Sequence, residues 1–447
     1  MGDDLVSLED IKVDKDYESQ GVHVNDFLRG LETKRKNILL LVPTNDDEVR
    51  QFLLKYGEAE SHPNETNSER RERLIQLVQE RGIDLTKDED QEMNDFNPVG
   101  EDVEEEEFYT PASIELIEAR KFITSYSINQ SKRRLERQSK NAKISMTKQL
   151  IERRSEIKEL AKIELHGSQL VSPKPISSVS VNPHNTSQIL TGTWEDGIKL
   201  LNDDLDILKT FPIKGKVSGL DWSPVDSNIF TSSGNSLALW DIEQDLPLTE
   251  FDGHESRIVQ SKFHPSGRYI ASSSFDKTWR LWDIQTKQEL LLQEGHSKEV
   301  YALAFNNDGN LLVSGGLDAL GYVWDLRTGN SIMVLNGHIK PIYSTSWRSN
   351  GYQIATGSGD GSIKIWDLRM TKEISAIPAH TKNVSDVKFH NNILISTSYD
   401  KTIKFYSNDN WVKINELEGH SDKIMSLDAC DKYLVSCGWD RSVKIWK

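Results

Sequence analysis

Two spacings of apolar residues divide the chain. From Ser177 onward apolar residues alternate with polar or small ones at a period of two, in short runs cut by turn signals. In YIASSSFDKTWRLWD, Tyr269, Ala271 and Ser273 share one face of a strand, and Trp279, Leu281 and Asp283 share one face of the next. Pro-Ser-Gly at 265–267 and Asn-Asp-Gly at 307–309 are turns. Before Lys162 the spacing is helical. PTNDDEVRQFLLKYGE, 43–58, carries a stripe of Val49, Phe52, Leu53 and Tyr56, a capping-box pair in Asn45 and Glu48, and a stop at Gly57. TNSERRERLIQLVQERGID repeats the scheme with Thr66 and Glu69 as the cap, Leu74, Leu77 and Val78 as the stripe, and Gly82 as the stop. Two helices this short bury little alone, so the hairpin over 43–83 is expected to dock on a partner or on another helix, with Val49, Phe52 and Leu53 as interface candidates. After Pro111 one long helix is expected from Ala112 to about Leu165, its first half striped by Leu116, Ala119, Ile123 and Tyr126.

The alternating region repeats. Gly-His pairs at 253–254, 295–296, 337–338 and 419–420, with Ala379-His380 as a variant, set successive histidines 42, 42, 42 and 40 residues apart. Each is followed by an apolar run, a small-residue strand ending in Asp, and then Trp282, Trp324, Trp366 or Trp446, with Tyr406 in one unit. Two weaker units precede them. Gly219 to Asp241 keeps Trp240 without a Gly-His, and Ser177 to Asn202 has Leu201 at the Trp position. Units of about 42 residues with four short strands are propeller blades in the spelling of the WD40 repeat. The expectation is therefore an all-β, seven-bladed WD40 β-propeller over 163–447, preceded by a mostly α-helical and partly disordered region. The last unit stops one residue after Trp446, short of its outer strand. IELHGSQLVS, 163–172, is the unpartnered stretch of that type and is expected to pair with SVKIW and close the ring.

Four positions move together through the repeat. They are His254, Ser272, Asp276 and Trp282; His296, Ser314, Asp318 and Trp324; His338, Thr356, Asp360 and Trp366; and His420, Ser436, Asp440 and Trp446. Such a set can form a relay in which carboxylate, imidazole, hydroxyl and indole hydrogen-bond in turn. It resembles a hydrolase triad superficially, but a catalytic set occurs once in a cleft, whereas this one recurs in every regular unit. No catalytic residue is assigned. In the second unit Gly234 and Asn235 replace the Asp, which with Tyr406 puts two of the relays in doubt.

The residue before each relay Asp varies and lies in a tight turn on the histidine rim. In a closed ring Tyr399, Trp439 and Trp194 are neighbours, with Phe275 further round, and these four are protein-interface candidates. The alternative is that each ring packs on its own blade.

Charge separates the N-terminal region. The 447 residues carry a net charge of -16, so any basic site is local. Residues 84–107 hold twelve acids against Lys87, which predicts a disordered linker over 84–109; residues 1–42 are read as a disordered arm. Arg120 to Lys162, by contrast, holds thirteen basic residues and four acids. Lys132, Arg133, Arg134, Arg137, Lys140, Lys143, Lys148, Arg153 and Arg154 are the RNA-contact candidates in this basic helix over 110–162. Charge reversal at Arg133, Arg134 and Arg137 is expected to weaken RNA crosslinking with little effect on melting. The competing readings are a solvated helix or a nuclear import signal at Lys132 to Arg137. Cys430 and Cys437 have no second pair to complete a zinc site, and no apolar run has the length of a membrane span. The expectation is an intracellular protein without metal, cofactor, membrane or small-molecule substrate.

PTNDDEVRQFL with ERRERLIQLV looks like a small helical splicing-factor motif. Together with TPASIELIEARKFI, GSQLVSPKPIS and the WD ring, in that order, it resembles the pre-mRNA-processing factor 4 family, WD-repeat proteins of the U4/U6 small nuclear ribonucleoprotein. The resemblance covers Pro43 to Lys447. It implies a non-enzymatic nuclear scaffold of the U4/U6·U5 tri-snRNP that contacts pre-mRNA-processing factor 3, other tri-snRNP proteins and U4/U6 snRNA. Some members of the family also bind a cyclophilin through the N-terminal segment. The rival reading is a WD40 substrate receptor or adaptor of a ubiquitin ligase or other signalling complex, for which no ligase-docking motif is evident. A G-protein β-like subunit would need a heptad seam, and Asn129 to Lys143 offers little beyond Leu135.

Overall fold

A computed structural model describes residues 46–56, 58–59, 65–81, 113–213 and 215–447. The expected arm over 1–42, the acidic linker over 84–109, and Asn45, Gly57 and Gly82 lie outside the described residues. The chain divides into two compact units, Met1–Tyr109 and Thr110–Lys447.

In the first unit α1 (Asp46–Lys55) and α2 (Asn67–Arg81) form the hairpin. The α2 cap is reciprocal: the Thr66 amide donates to Glu69 Oε2 at 2.8 Å, and the Glu69 amide donates to Thr66 Oγ1 at 3.4 Å. Val49 and Leu53 are buried against Leu74 and Val78, and Phe52 and Tyr56 pack beside them. Val49 and Leu53 thus find the helix that was one of their two expected docking partners, and Phe52 keeps part of its surface. Their stripe is consumed by the helix it faces, which gives the hairpin a small core of its own, and Leu54 is the apolar side chain of α1 turned to solvent.

The second unit holds seven four-stranded sheets arranged as propeller blades. Six are plain meanders. We number them in chain order, blade 1 beginning at Ile176 and blade 6 ending at Glu418. Blade 7 takes its inner three strands from Ile424–Ala429, Leu434–Gly438 and Ser442–Trp446, and its outer strand is Leu165–Leu170. The pairing is antiparallel, from Leu165 opposite Trp446 to Leu170 opposite Ser442. Glu164 and Lys447 extend it by exchanging backbone hydrogen bonds at 2.9 and 3.1 Å.

Each innermost strand has one edge toward the central channel, where backbone N–H groups need partners. The preceding blade supplies them from side chains. Asp221 accepts from the amide of Phe263 at 2.8 Å, Gln260 from Leu303 at 2.7 Å, and Ser346 from Phe389 at 3.0 Å. Asp386 accepts from Leu427 at 3.1 Å, and Asp428 accepts from Val181 at 2.8 Å across the closure. Apolar clusters fill the spaces between blades. One of them joins Val171, Ile176 and Ile189 of the first blade's side to Val435, Cys437 and Ile445 of the last.

The expected single long helix is two: α3 (Ile114–Ala142) and α4 (Met146–Leu160). Ser113 caps α3, its Oγ accepting from the Leu116 amide at 3.2 Å. The break comes at Lys143–Ser145, where the chain turns to follow the curve of the ring. Gln149 helps hold it, its side-chain amide donating to the carbonyls of Asn141 and Ile144 at 2.9 and 3.1 Å. Leu116, Ala119 and Ile123 of α3 bury among Tyr269, Leu281, Leu303 and Trp324 of blades 3 and 4. Further along, Tyr126 donates to the Pro265 carbonyl at 3.0 Å, and Ser131 donates to Asp308 at 2.9 Å. At α4, Leu160 and Ile163 pack with the cluster shared by blades 6 and 7. The Tyr126 and Ser131 contacts fall on the turns between the first and second strands of blades 3 and 4, at the opposite end of those strands from the relay turns.

Candidate functional site

The regular relays close in every repeated unit. His254 Nδ1 lies 2.7 Å from Asp276, its Nε2 lies 2.7 Å from Ser272 Oγ, and the Trp282 indole donates to that oxygen at 2.8 Å. His296, His338 and His420 repeat the arrangement with Asp318, Asp360 and Asp440 at 3.1, 3.0 and 2.8 Å. Trp324, Trp366 and Trp446 donate to Ser314, Thr356 and Ser436 at 2.8, 3.0 and 2.8 Å. In blade 6, His380 keeps Asp400 at 2.9 Å and Ser396 at 2.8 Å, but the Tyr406 hydroxyl donates instead to the Ala379 carbonyl. Blade 2 retains the indole link alone, from Trp240 to Ser232 at 2.9 Å. In blade 1 Asp196 accepts from Ser172 at 2.7 Å, a relay partner the repeat spacing did not suggest.

Burial opposes ionisation of the relay carboxylates. Hydrogen bonds from the hydroxyl two residues on and from the histidine together outweigh it, holding Asp360 and Asp440 down at about 2. Burial also lowers His254 and His338, against the pull of their aspartates. Neutral imidazoles donating to carboxylate and accepting from hydroxyl satisfy every group in the chain. The relay histidines and aspartates lie within the blades, with side chains at most 15% exposed in the four regular units.

The rim above the relays is different. Backbone bonds from Tyr399 to Asn383 at 3.0 Å, Trp439 to Lys423 at 2.9 Å and Trp194 to Pro175 at 3.3 Å fix the three turns in equivalent places on blades 6, 7 and 1. Trp194 and Trp439 meet edge to face across the blade boundary, with centroids 5.4 Å apart. Lys216 lies over Trp194 at 4.5 Å, and Lys423 lies over both Trp439 at 4.8 Å and Tyr399 at 5.2 Å. The three rings are half-buried; Trp194 meets Trp439 directly, and Lys423 links Trp439 to Tyr399. Phe275 stands apart on blade 3 and is 36% exposed. With Tyr301 and Tyr343 these residues ring the mouth of the central channel, a space of about 690 Å³.

On the opposite side, Lys132, Arg133, Arg137 and Lys140 of α3, Lys143 in the break, and Lys148 and Arg154 of α4 are exposed. Arg134 and Arg153, the other two RNA candidates, are engaged with the propeller. Arg134 forms an ion pair with Asp308 at 2.8 Å and donates to the Asn350 carbonyl at 2.9 Å, while Arg153 pairs with Asp409. Asp308 is buried, and the guanidinium is its main counter-charge. Neither Asp308 nor His264 is signalled by sequence. His264 is buried beneath Tyr126, bonded to the Gly309 carbonyl at 2.7 Å, and burial depresses its pKa to about 4. Gly309 has φ 79°, and a Cβ there would come within 2.6 Å of that ring.

Comparison with known proteins covers both regions. The family model of the IFT122 first beta-propeller matches residues 216–447. The protein of Saccharomyces cerevisiae named U4/U6 small nuclear ribonucleoprotein PRP4 is 44% identical, over 99% of this chain and 99% of its own length. An uncharacterised WD repeat-containing protein of Schizosaccharomyces pombe is 38% identical over 55% of this chain and 54% of its own. A PRP4-like protein of Arabidopsis thaliana is 36% identical over 55% of this chain and 46% of its own.

Proposed function

The chain belongs to the PRP4 family of U4/U6 small nuclear ribonucleoprotein components, and from that premise we propose that it is a non-enzymatic nuclear scaffold of the U4/U6·U5 tri-snRNP in pre-mRNA splicing. In this reading the channel-mouth rim docks protein partners, among them pre-mRNA-processing factor 3, and the exposed basic side of α3 and α4 contacts U4/U6 snRNA. The observation that carries the reading is identity spread over 99% of both chains, because a shared propeller alone would align only the repeats. The geometry supports it in two ways. The histidine and aspartate pairs are spent on blade stability, and the basic residues of α3 and α4 that stay exposed lie away from the aromatic rim.

Pull-down of the tagged protein from nuclear extract with RNA sequencing tests this. Co-recovery of U4 and U6 RNA with tri-snRNP proteins is expected, whereas ubiquitin-ligase subunits without either RNA would overturn it.

A further inference from the structure

We propose that the patch of Trp194, Tyr399 and Trp439 docks an acidic peptide segment of a protein partner, taking its carboxylates on lysine and its apolar side chains on the ring edges. The proposal rests on the rim being the scaffold's protein-docking surface and adds the chemistry of what docks there. Lys216 and Lys423 stand over the three rings, Lys401 and Arg441 follow Tyr399 and Trp439 by two residues in the same turns, and none of these four has an ion-pair partner among the described residues. Lys401 and Arg441 occupy the turn position directly after the relay aspartate, at φ 77° and 65°. The relay carboxylates do not neutralise this cluster from outside. On blades 6 and 7 their side chains are turned inward, 9% exposed for Asp400 and 5% for Asp440, and are already engaged by histidine and backbone, while Asp196 of blade 1 is held by Ser172 and Lys199. Glu195, beside Trp194, is held by Lys174 at 2.8 Å. On a chain of net charge -16 the patch is therefore a local concentration of unspent positive charge around apolar rings.

Peptide fits this surface better than nucleic acid does. Base stacking needs an open aromatic face. Here an ammonium group lies 4.5 to 5.2 Å from each ring centroid, and the two indoles close on each other edge to face. What remains outward is ring edge plus lysines whose positions are fixed by the rings below them. Fixed point cations around a small apolar centre suit carboxylates flanking a leucine or phenylalanine.

The test uses the full chain and a short fluorescein-labelled peptide of glutamate and phenylalanine, with glutamine-for-glutamate and lysine-for-glutamate versions and an oligouridylate as probes, read by anisotropy. The glutamate peptide is expected to bind, and the glutamine version to bind at least about tenfold more weakly. Trp194→Ala with Trp439→Ala should weaken the glutamate peptide by a similar factor. Lys216→Glu with Lys423→Glu, a surface change that leaves the fold intact, should weaken it likewise and favour the lysine version. Absent binding, equal binding by wild type and both double variants, or displacement of the peptide by oligouridylate overturns the proposal. If U4 and U6 RNA still co-purify in that case, the scaffold reading stands and only the acidic partner fails.

Discussion

A single hydroxyl sits at the crossing of each relay. Ser436 accepts from the Trp446 indole and donates to His420, which passes the order on to Asp440. Removing the carboxylate leaves the imidazole donor and the turn amide of Ser421 without their acceptor. Asp440→Ala is therefore expected to cost about 1–3 kcal/mol, read as a shift in denaturant midpoint. The relay aspartates and, outside the relays, His264 set the acid limb of stability. His264 stays neutral in the fold down to about 4, whereas in the unfolded chain it takes a proton near 6.5, so stability falls as pH drops through that interval. Asp360 and Asp440, depressed from 3.8 to about 2, contribute stability above 3.8 that is lost as pH falls toward 2. Unfolding midpoints measured from pH 7 downward should hold level at first and then decline in two stages. The relays were legible because their members recur at fixed offsets within a blade. Arg134 was not, since Asp308 lies 174 residues away and nothing local distinguishes this arginine from Arg133. Arg134→Ala should destabilise by about 1–3 kcal/mol through the stranded Asp308, with Arg133→Ala within about 0.5 kcal/mol of wild type.

At the scale of elements, the closing strand shows how backbone pairing can matter more than burial. Leu165–Leu170 is largely exposed along its length, so few of its side chains hold it in place. Its contribution is to cover the edge of Ser442–Trp446, which carries buried Val443, Ile445 and Trp446. Deleting 165–170 should expose that edge and replace the cooperative monomer by aggregates on size exclusion; a monomer with an unchanged melting temperature would refute this. The strand could be read from sequence because the repeat stops short and leaves one partner to find. The break between α3 and α4 could not, because residues on both sides of Lys143–Ser145 favour helix. What α4 reaches beyond the turn is distant in sequence, with Arg153 paired to Asp409 and the Leu160 carbonyl accepting from Asn415, so no local pattern marks it.

The whole ring keeps two surfaces at opposite ends of its strands, and that separation gives the scaffold reading its sharpest test. The inner side of α3 is spent on blades 3 to 5, through Leu116, Ile123, Tyr126 and Arg134. Arg133, Arg137 and Lys140 follow one another at helical spacing on the exposed side, with Arg154 continuing the line on α4. Phosphate binding there should be independent of the rim, because the two surfaces share no side chain. Arg133→Glu with Arg137→Glu and Arg154→Glu should reduce snRNA binding across sequences and lower the salt slope by about one for each phosphate no longer neutralised. Melting temperature and capture of protein partners by the rim should be unchanged. Rim variants should do the reverse, keeping RNA while losing protein. If the helix variant also releases the protein partners, one partner spans both surfaces, a role that exposed Met146, Leu150 and Ile151 beside the basic line could serve. Crosslinking at α4 in the purified particle then separates the cases: RNA attached at Arg154 with protein only at the rim supports two independent surfaces, and protein at both ends refutes them.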